Sequence, residues 1–272
     1  MLQVAARGRV PTIAFGTGFS LPPADMPCFP GLFGKPAVVS EDALLANLNL
    51  ALRRMDRSPL AALPEIFAAD HSLVAVFTEF DPYRAWRRGP ISAPAICGPV
   101  PFTTGEGEEV FIYFNGKTAR PNTFWQALVD SRLSVRVFDT LLNDDDIAML
   151  EGVGIRVARA PIPFAEIVAR SRLLLSHGGL GFVSSGLLAG LPQIIIPFDG
   201  EKRLNAEAIA GRGGCLQASF EGLQTDAFAA FLRSAWSDEP LHAQARAAAP
   251  GFRARMTRTV ETEAADIVDT LL

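Results

Sequence analysis

Leu173-Leu174-Leu175-Ser176-His177-Gly178-Gly179-Leu180-Gly181 decides how this chain is read. Three leucines and a serine read as a strand. The strand ends in glycines, and a helical pattern begins at Gly181 and runs to Ala189. Glycines lack a Cβ, so their N–H groups approach an anion closely, and the start of the next helix adds about half a positive charge. His177 is placed to donate a hydrogen bond to a phosphate oxygen. In open parallel sheets, ligands collect at the carboxyl ends of strands, where this turn stands. His-Gly-Gly taken alone is equally compatible with structural punctuation beside a buried histidine.

Working outward, short β-branched runs alternate with helical patterns. Strands are predicted at 110–114, 133–138, 155–158, 172–176 and 193–196, and helices at 122–130, 164–169, 181–189, 204–211 and 226–234, with a last one ending at Leu272. That alternation implies a parallel, doubly wound sheet. Asn143 followed by Asp144, Asp145 and Asp146 is read as a capped helix start, where negative charge suits the dipole, rather than as a metal site.

The first hundred residues are sparser. One strand is predicted at 11–15, then a Gly/Pro-rich loop over 16–36, a helix opened by Ser40 that carries Leu44, Leu45, Leu48 and Leu52, and strands at 73–77 and 95–97. This is only part of a sheet. The Pro, Gly and acidic residues of 99–109 read as a linker, which puts an incomplete domain at 1–105 and a complete one at 106–272.

Composition narrows the classes. With 272 residues, 49% of them apolar and 20% charged, the chain has material for a sizeable core and is not disordered. A net charge of −4 and the lack of any basic stripe argue against nucleic acid as a partner. Cys28, Cys97 and Cys215 are far apart and lack metal-site spacing, so they read as reduced thiols of a cytoplasmic protein. The opening residues form no signal peptide, and the apolar run from Leu187 to Phe198 is broken by Gly190 and Pro192 and far short of the roughly 20 residues of a membrane span.

The order of residues from Ser176 onward, Ser176-His177-Gly178-Gly179-x-Gly181, then Ala189-Gly190-Leu191-Pro192-Gln193, Pro197 and Asn205-Ala206, resembles the donor-site signature of family 1 glycosyltransferases of the GT-B fold, in particular bacterial members. Val110 to Lys117 resembles the strand and glycine turn that open their second domain, Ala160-Pro161-Ile162-Pro163 their base-contacting loop, and Thr78 to Tyr83 the end of their first domain. The resemblance implies one complete Rossmann-like sheet preceded by a partial one. It also implies inverting transfer from a nucleotide sugar to a small-molecule or lipid hydroxyl, with no metal and no cofactor beyond the donor. On that reading His177, Gly178, Gly179 and Gly181 hold the leaving diphosphate in an interdomain crevice, and Ile162 offers backbone to the base. Gly116 and Lys117 face phosphates or sugar, although Lys117 is equally compatible with a solvated loop.

Departures from the family pattern accompany the matches. Phe182 stands where a small hydroxyl residue is usual, Ser185 replaces the acidic residue that holds the ribose, and Glu201-Lys202 replaces the Asp-Gln pair that reads the sugar. About three βα units of the family's first domain, at roughly 30 residues per βαβ, have no counterpart, and the family's catalytic histidine lies among them. No general base is therefore carried over. His71, just before a strand, is a possible substitute base but is read as a loop histidine, and His242, in an Ala-rich helix pattern, as a surface one. Three readings follow: a shortened transferase, a non-catalytic nucleotide-sugar-binding remnant, or one subunit of a split transferase whose protein partner completes the first sheet. A nucleotide-sugar epimerase of the same architecture would need buried carboxylates near the sugar, which are not identifiable.

Overall fold

The computed structural model of the protein describes residues 8–34, 37–116 and 118–271. Its contacts divide it into two compact units, one that ends at Ala95 and resumes at Met256, and one spanning Ile96–Arg255. The division departs from the expected one in two places. The second unit starts ahead of the predicted boundary, and the C-terminal helix Val260–Leu271 groups with the first unit. The reason is apolar: Val260, Ala264 and Ile267 pack on Leu73 and Ala75, and Ser92 Oγ donates to Glu263 Oε2 at 2.8 Å.

In the first unit, β1 (Ile13–Gly16) pairs in parallel with β2 (His71–Val74), and among the described residues these two strands make the whole sheet. Between them, α1 (Glu41–Arg54) is capped by Ser40, whose Oγ accepts from the Ala43 amide. Leu45, Leu48 and Leu52 form its packed face against Leu60 and Ile66, whereas Leu44 is 43% exposed. No strand forms at 95–97. Ser92 and Ala93 make isolated bridges to Ala75 and Thr259 instead, and Pro94, which has no N–H to donate, ends the pairing there.

The second unit carries β3 (Glu109–Phe114), β4 (Val135–Asp139), β5 (Arg156–Val157), β6 (Ser171–Ser176), β7 (Gln193–Ile195) and β8 (Cys215–Gln217) in one parallel sheet of order β5-β4-β3-β6-β7-β8. Strand order reverses between β3 and β6, so the crevice at their carboxyl ends is the switch point where doubly wound sheets bind ligands. Alternate residues serve opposite faces. Val110, Ile112 and Phe114 join a core with Phe124, Leu128, Phe228 and Leu232, from α2 (Asn122–Ser131) and from the helix Thr225–Ser237. Phe111 joins another with Ile167, Val168 and Ala189. The leucine run of β6 follows from that arrangement: Leu173 and Leu175 face the first core and Leu174 the second.

The three aspartates open α3 (Asp144–Gly152) as expected, with a reciprocal cap in which Asn143 Oδ1 accepts from the Asp146 amide and Asp146 Oδ2 from the Asn143 amide. Both sheet edges are short, since β5 has two residues and β8 three. The stretch read as a linker is stitched to the second unit. Thr103 donates to the Ala189 carbonyl, Glu108 donates to the Arg170 carbonyl, and a Cβ on Gly107 would come within 2.2 Å of the Ser171 carbonyl. No described helix is long and apolar enough to cross a membrane.

Candidate functional site

β6 ends at Ser176, and the chain turns through His177, Gly178 and Gly179 into helix α5 (Leu180–Ala189), which follows α4 (Phe164–Arg170). Gly178 has φ +89°, and a Cβ there would meet Ile195 Cγ2 at 2.8 Å and the Lys202 carbonyl at 3.3 Å, so backbone conformation and close packing both require glycine. Its amide donates to Ser176 Oγ at 3.2 Å, and its carbonyl accepts from Asn205 Nδ2 at 3.0 Å. The turn is thus pinned from both sides. The Gly178 amide, expected to face phosphate, is already used. Gly179 is the N-cap of α5 and no side chain caps that helix, so the donors at the opening of α5 stay open to a ligand.

His177 is 5% exposed, at the carboxyl end of the sheet rather than behind it. Its Nδ1 lies 3.4 Å from the Tyr113 carbonyl, and its ring lies 5.3 Å from that of Tyr113 and stacks at 5.2 Å on Phe198. Burial lowers its pKa below the usual histidine value, the Tyr113 contact opposes that, and Lys202 and Arg120 lower it further. Gly116, at the end of the turn after β3, has φ +134° and packs so closely that a Cβ would meet the Phe198 ring at 2.8 Å. Gly116 and His177 therefore share one aromatic neighbour.

The helix α6 (Gly200–Ile209) is capped by Asp199, which accepts from the Lys202 amide. Lys202 Nζ lies 2.9 Å from Glu201 Oε2 and 3.3 Å from Asp199 Oδ2, so this cation arrives beside the turn already paired. Ser185 is a different matter. Its hydroxyl donates to the Gly181 carbonyl at 2.8 Å, which turns it back along its own helix and away from any part in holding a ribose as a donor. Phe182 packs on Tyr113 at 5.0 Å and Phe164 at 5.4 Å, and Ile162 joins the same cluster. Lys117 lies outside the described residues.

Three residues of the site were not singled out from sequence. Arg120 is 8% exposed, and its Nη2 donates to Asp139 Oδ1 at 2.9 Å. Phe198 is the ring on which Gly116 and His177 meet. None of the three has a periodic signal, because Arg120 and Phe198 lie in loops and Asp139 merely ends a strand. His71 stands at the amino end of β2, away from the carboxyl-end face where ligands gather. His242, expected at the surface, is 2% exposed, with Nε2 3.1 Å from the Trp236 carbonyl. The correction has a simple cause: Leu241, Ala245 and Ala249 bury that side of the helix Glu239–Arg253, and the histidine goes with them.

A 3-2-1-4-5-6 parallel sheet with a glycine turn at its switch point is Rossmann-like, and solved structures of the GT-B glycosyltransferase fold superpose on the chain. Residues 137–268 match the family of the erythromycin biosynthesis protein CIII-like, C-terminal domain. The calicheamicin glycosyltransferase CalG4 aligns with a TM-score of 0.70 and 18% identity over 98% of this chain and 71% of its own. The glycosyltransferase VinC in complex with dTDP aligns at 0.60 and 16%, over 88% and 61%. In sequence, the UDP-N-acetylglucosamine–N-acetylmuramyl-(pentapeptide) pyrophosphoryl-undecaprenol N-acetylglucosamine transferase of Rhodospirillum centenum is 25% identical over 83% of this chain and 64% of its own length. The chain thus spans just under two thirds of that relative.

Proposed function

We propose that this chain binds the diphosphate of a nucleotide-activated sugar at the His177 turn and serves metal-independent, inverting transfer of the sugar to a small-molecule or lipid hydroxyl. The observation that carries the reading is the pinned glycine turn at the β3/β6 switch point, which leaves an uncapped helix start beside a buried histidine. Charge that builds on a leaving diphosphate is stabilised there by fixed dipoles, with no reorganisation at the moment of reaction. Gly179 and Gly181 let the anion approach, Gly116 keeps the opposite wall low, and Glu201 with Lys202 meets the sugar. Among the relatives, VinC was solved with dTDP and the Rhodospirillum centenum protein is a UDP-N-acetylglucosamine transferase by name, which favours a pyrimidine nucleotide here.

The second reading, a nucleotide-sugar-binding remnant or one subunit of a split transferase, is favoured by the back-bonded Ser185 hydroxyl and by the lack of a histidine at the carboxyl ends of β1 and β2 among the described residues. Calorimetric titration and thermal shift with UDP, dTDP and GDP, alone and as sugar conjugates, test both. A ligand specific to the folded form adds about 2.7 kcal/mol at a hundred times its dissociation constant. Binding with sugar hydrolysis or transfer supports the first reading, binding without turnover supports the second, and no response to any nucleotide overturns both.

A further inference from the structure

The inference that follows rests on the donor-site reading and concerns a residue that reading leaves unused. The Arg120 side chain is 2% exposed and the Asp139 side chain 0%. A guanidinium carries five N–H donors, and a buried charge is costly unless well paired. Nη2 donates to Asp139 Oδ1, whereas Nε, though 2.9 Å from Oδ2, is out of line for a hydrogen bond, and Nη1 has no acceptor among the described residues. Burial moves both groups toward neutrality, Arg120 downward and Asp139 upward, against their mutual attraction. Such a pair contributes little as a staple. Its location is the informative part: the guanidinium lies 4.6 Å from the Phe114 ring and 5.7 Å from the Phe198 ring, on which His177 stacks.

We propose that Arg120, clamped by Asp139, is a positioning residue of the diphosphate site, which backs the glycine turn with a fixed positive charge and holds the Phe198–His177 stack in place. The chemistry of the imidazole makes this testable. Nδ1 faces the Tyr113 carbonyl, which only accepts, so the single proton of the neutral ring sits on Nδ1 and Nε2 carries a lone pair. A phosphate oxygen also only accepts. Nε2 therefore meets a diphosphate by first taking up a proton. The charged groups around the ring are Arg120 from the loop after β3, and Asp199, Glu201 and Lys202 from the start of α6. The two cations disfavour that proton and Asp199 favours it, until a bound diphosphate tips the balance. Affinity then rises as pH falls through the interval between the free and bound imidazole values, and Arg120 sets where that interval begins.

The test is calorimetric titration of the whole chain with UDP and dTDP from about pH 5.5 to 8.5, around the histidine range, in buffers of different ionisation enthalpy. Proton uptake is expected on binding. Arg120→Gln should bind about tenfold more weakly with its pH profile displaced upward, Arg120→Lys should recover most of the loss, and uridine or thymidine should bind wild type and variants alike. An unchanged affinity and pH profile in Arg120→Gln overturns the proposal, as does a proportional loss of nucleoside binding, which marks a merely structural role. Should Arg120→Gln not fold, the double variant Arg120→Met/Asp139→Leu removes both buried charges at once and must show the same two effects. A wild-type chain that binds no nucleotide overturns the donor-site reading as well, whereas normal wild-type binding with an indifferent Arg120→Gln overturns this inference alone.

Discussion

Strand β6 holds Leu173, Leu174 and Leu175 at 0% exposure, whereas β1 leaves Ile13 at 37% and Phe15 at 60%. Both strands lie in parallel sheets, but one has neighbours on either side and helices on both faces, and the other pairs only with β2 among the described residues. Parallel strands are stabilised chiefly by cover on both faces. The two units therefore differ less in sequence quality than in how completely each encloses its own apolar residues.

The largest effect that sharpens this contrast is a core deletion. Leu175→Ala should cost about 2–5 kcal/mol, because a fully packed site collapses poorly, while Phe15→Ala should stay within about 0.5 kcal/mol; urea melts of the two variants measure it. Comparable losses would show that β1 is covered in solution. A smaller contrast lies in the glycines. Gly178→Ala meets both a positive φ and two close contacts, and should cost about 1–3 kcal/mol and abolish nucleotide binding. Gly34, at φ +63° with nothing near, should cost only about 1 kcal/mol on the same substitution. The smallest effect is protonic. His177 and His242 both have pKa values lowered by burial, so the unfolded chain binds more protons below the ordinary histidine value. Stability should fall as pH drops through about 6.5, and His242→Gln should flatten part of that slope in thermal melts.

Much of the second unit was legible because burial on both faces leaves long apolar runs, and glycine punctuation marks where each strand hands over to a helix. Strand β8 escaped because Cys215-Leu216-Gln217 is three residues long and carries no pattern of its own. His177, Gly178 and Gly179 were singled out through turn chemistry, which is local, and Gly116 through the resemblance to the family. Arg120 and Asp139 were not, because 19 residues of chain separate a loop arginine from a strand-end aspartate whose meaning lies only in their meeting. The same limit explains His242, whose helix was recognisable but whose buried side depended on a neighbour far away in sequence. Ser185 was assigned by analogy of position, and its hydroxyl donates to the backbone carbonyl one turn earlier.

Gly107 has a practical corollary. With the Ser171 carbonyl closer than any side-chain atom tolerates, the segment that composition marks as slack is a fitted seam. Anyone grafting the second unit onto another first unit would have to cut ahead of Val100, whose carbonyl already accepts from Arg253 Nη1. A joint placed at the intuitive spot would tear out the first stitch of β3.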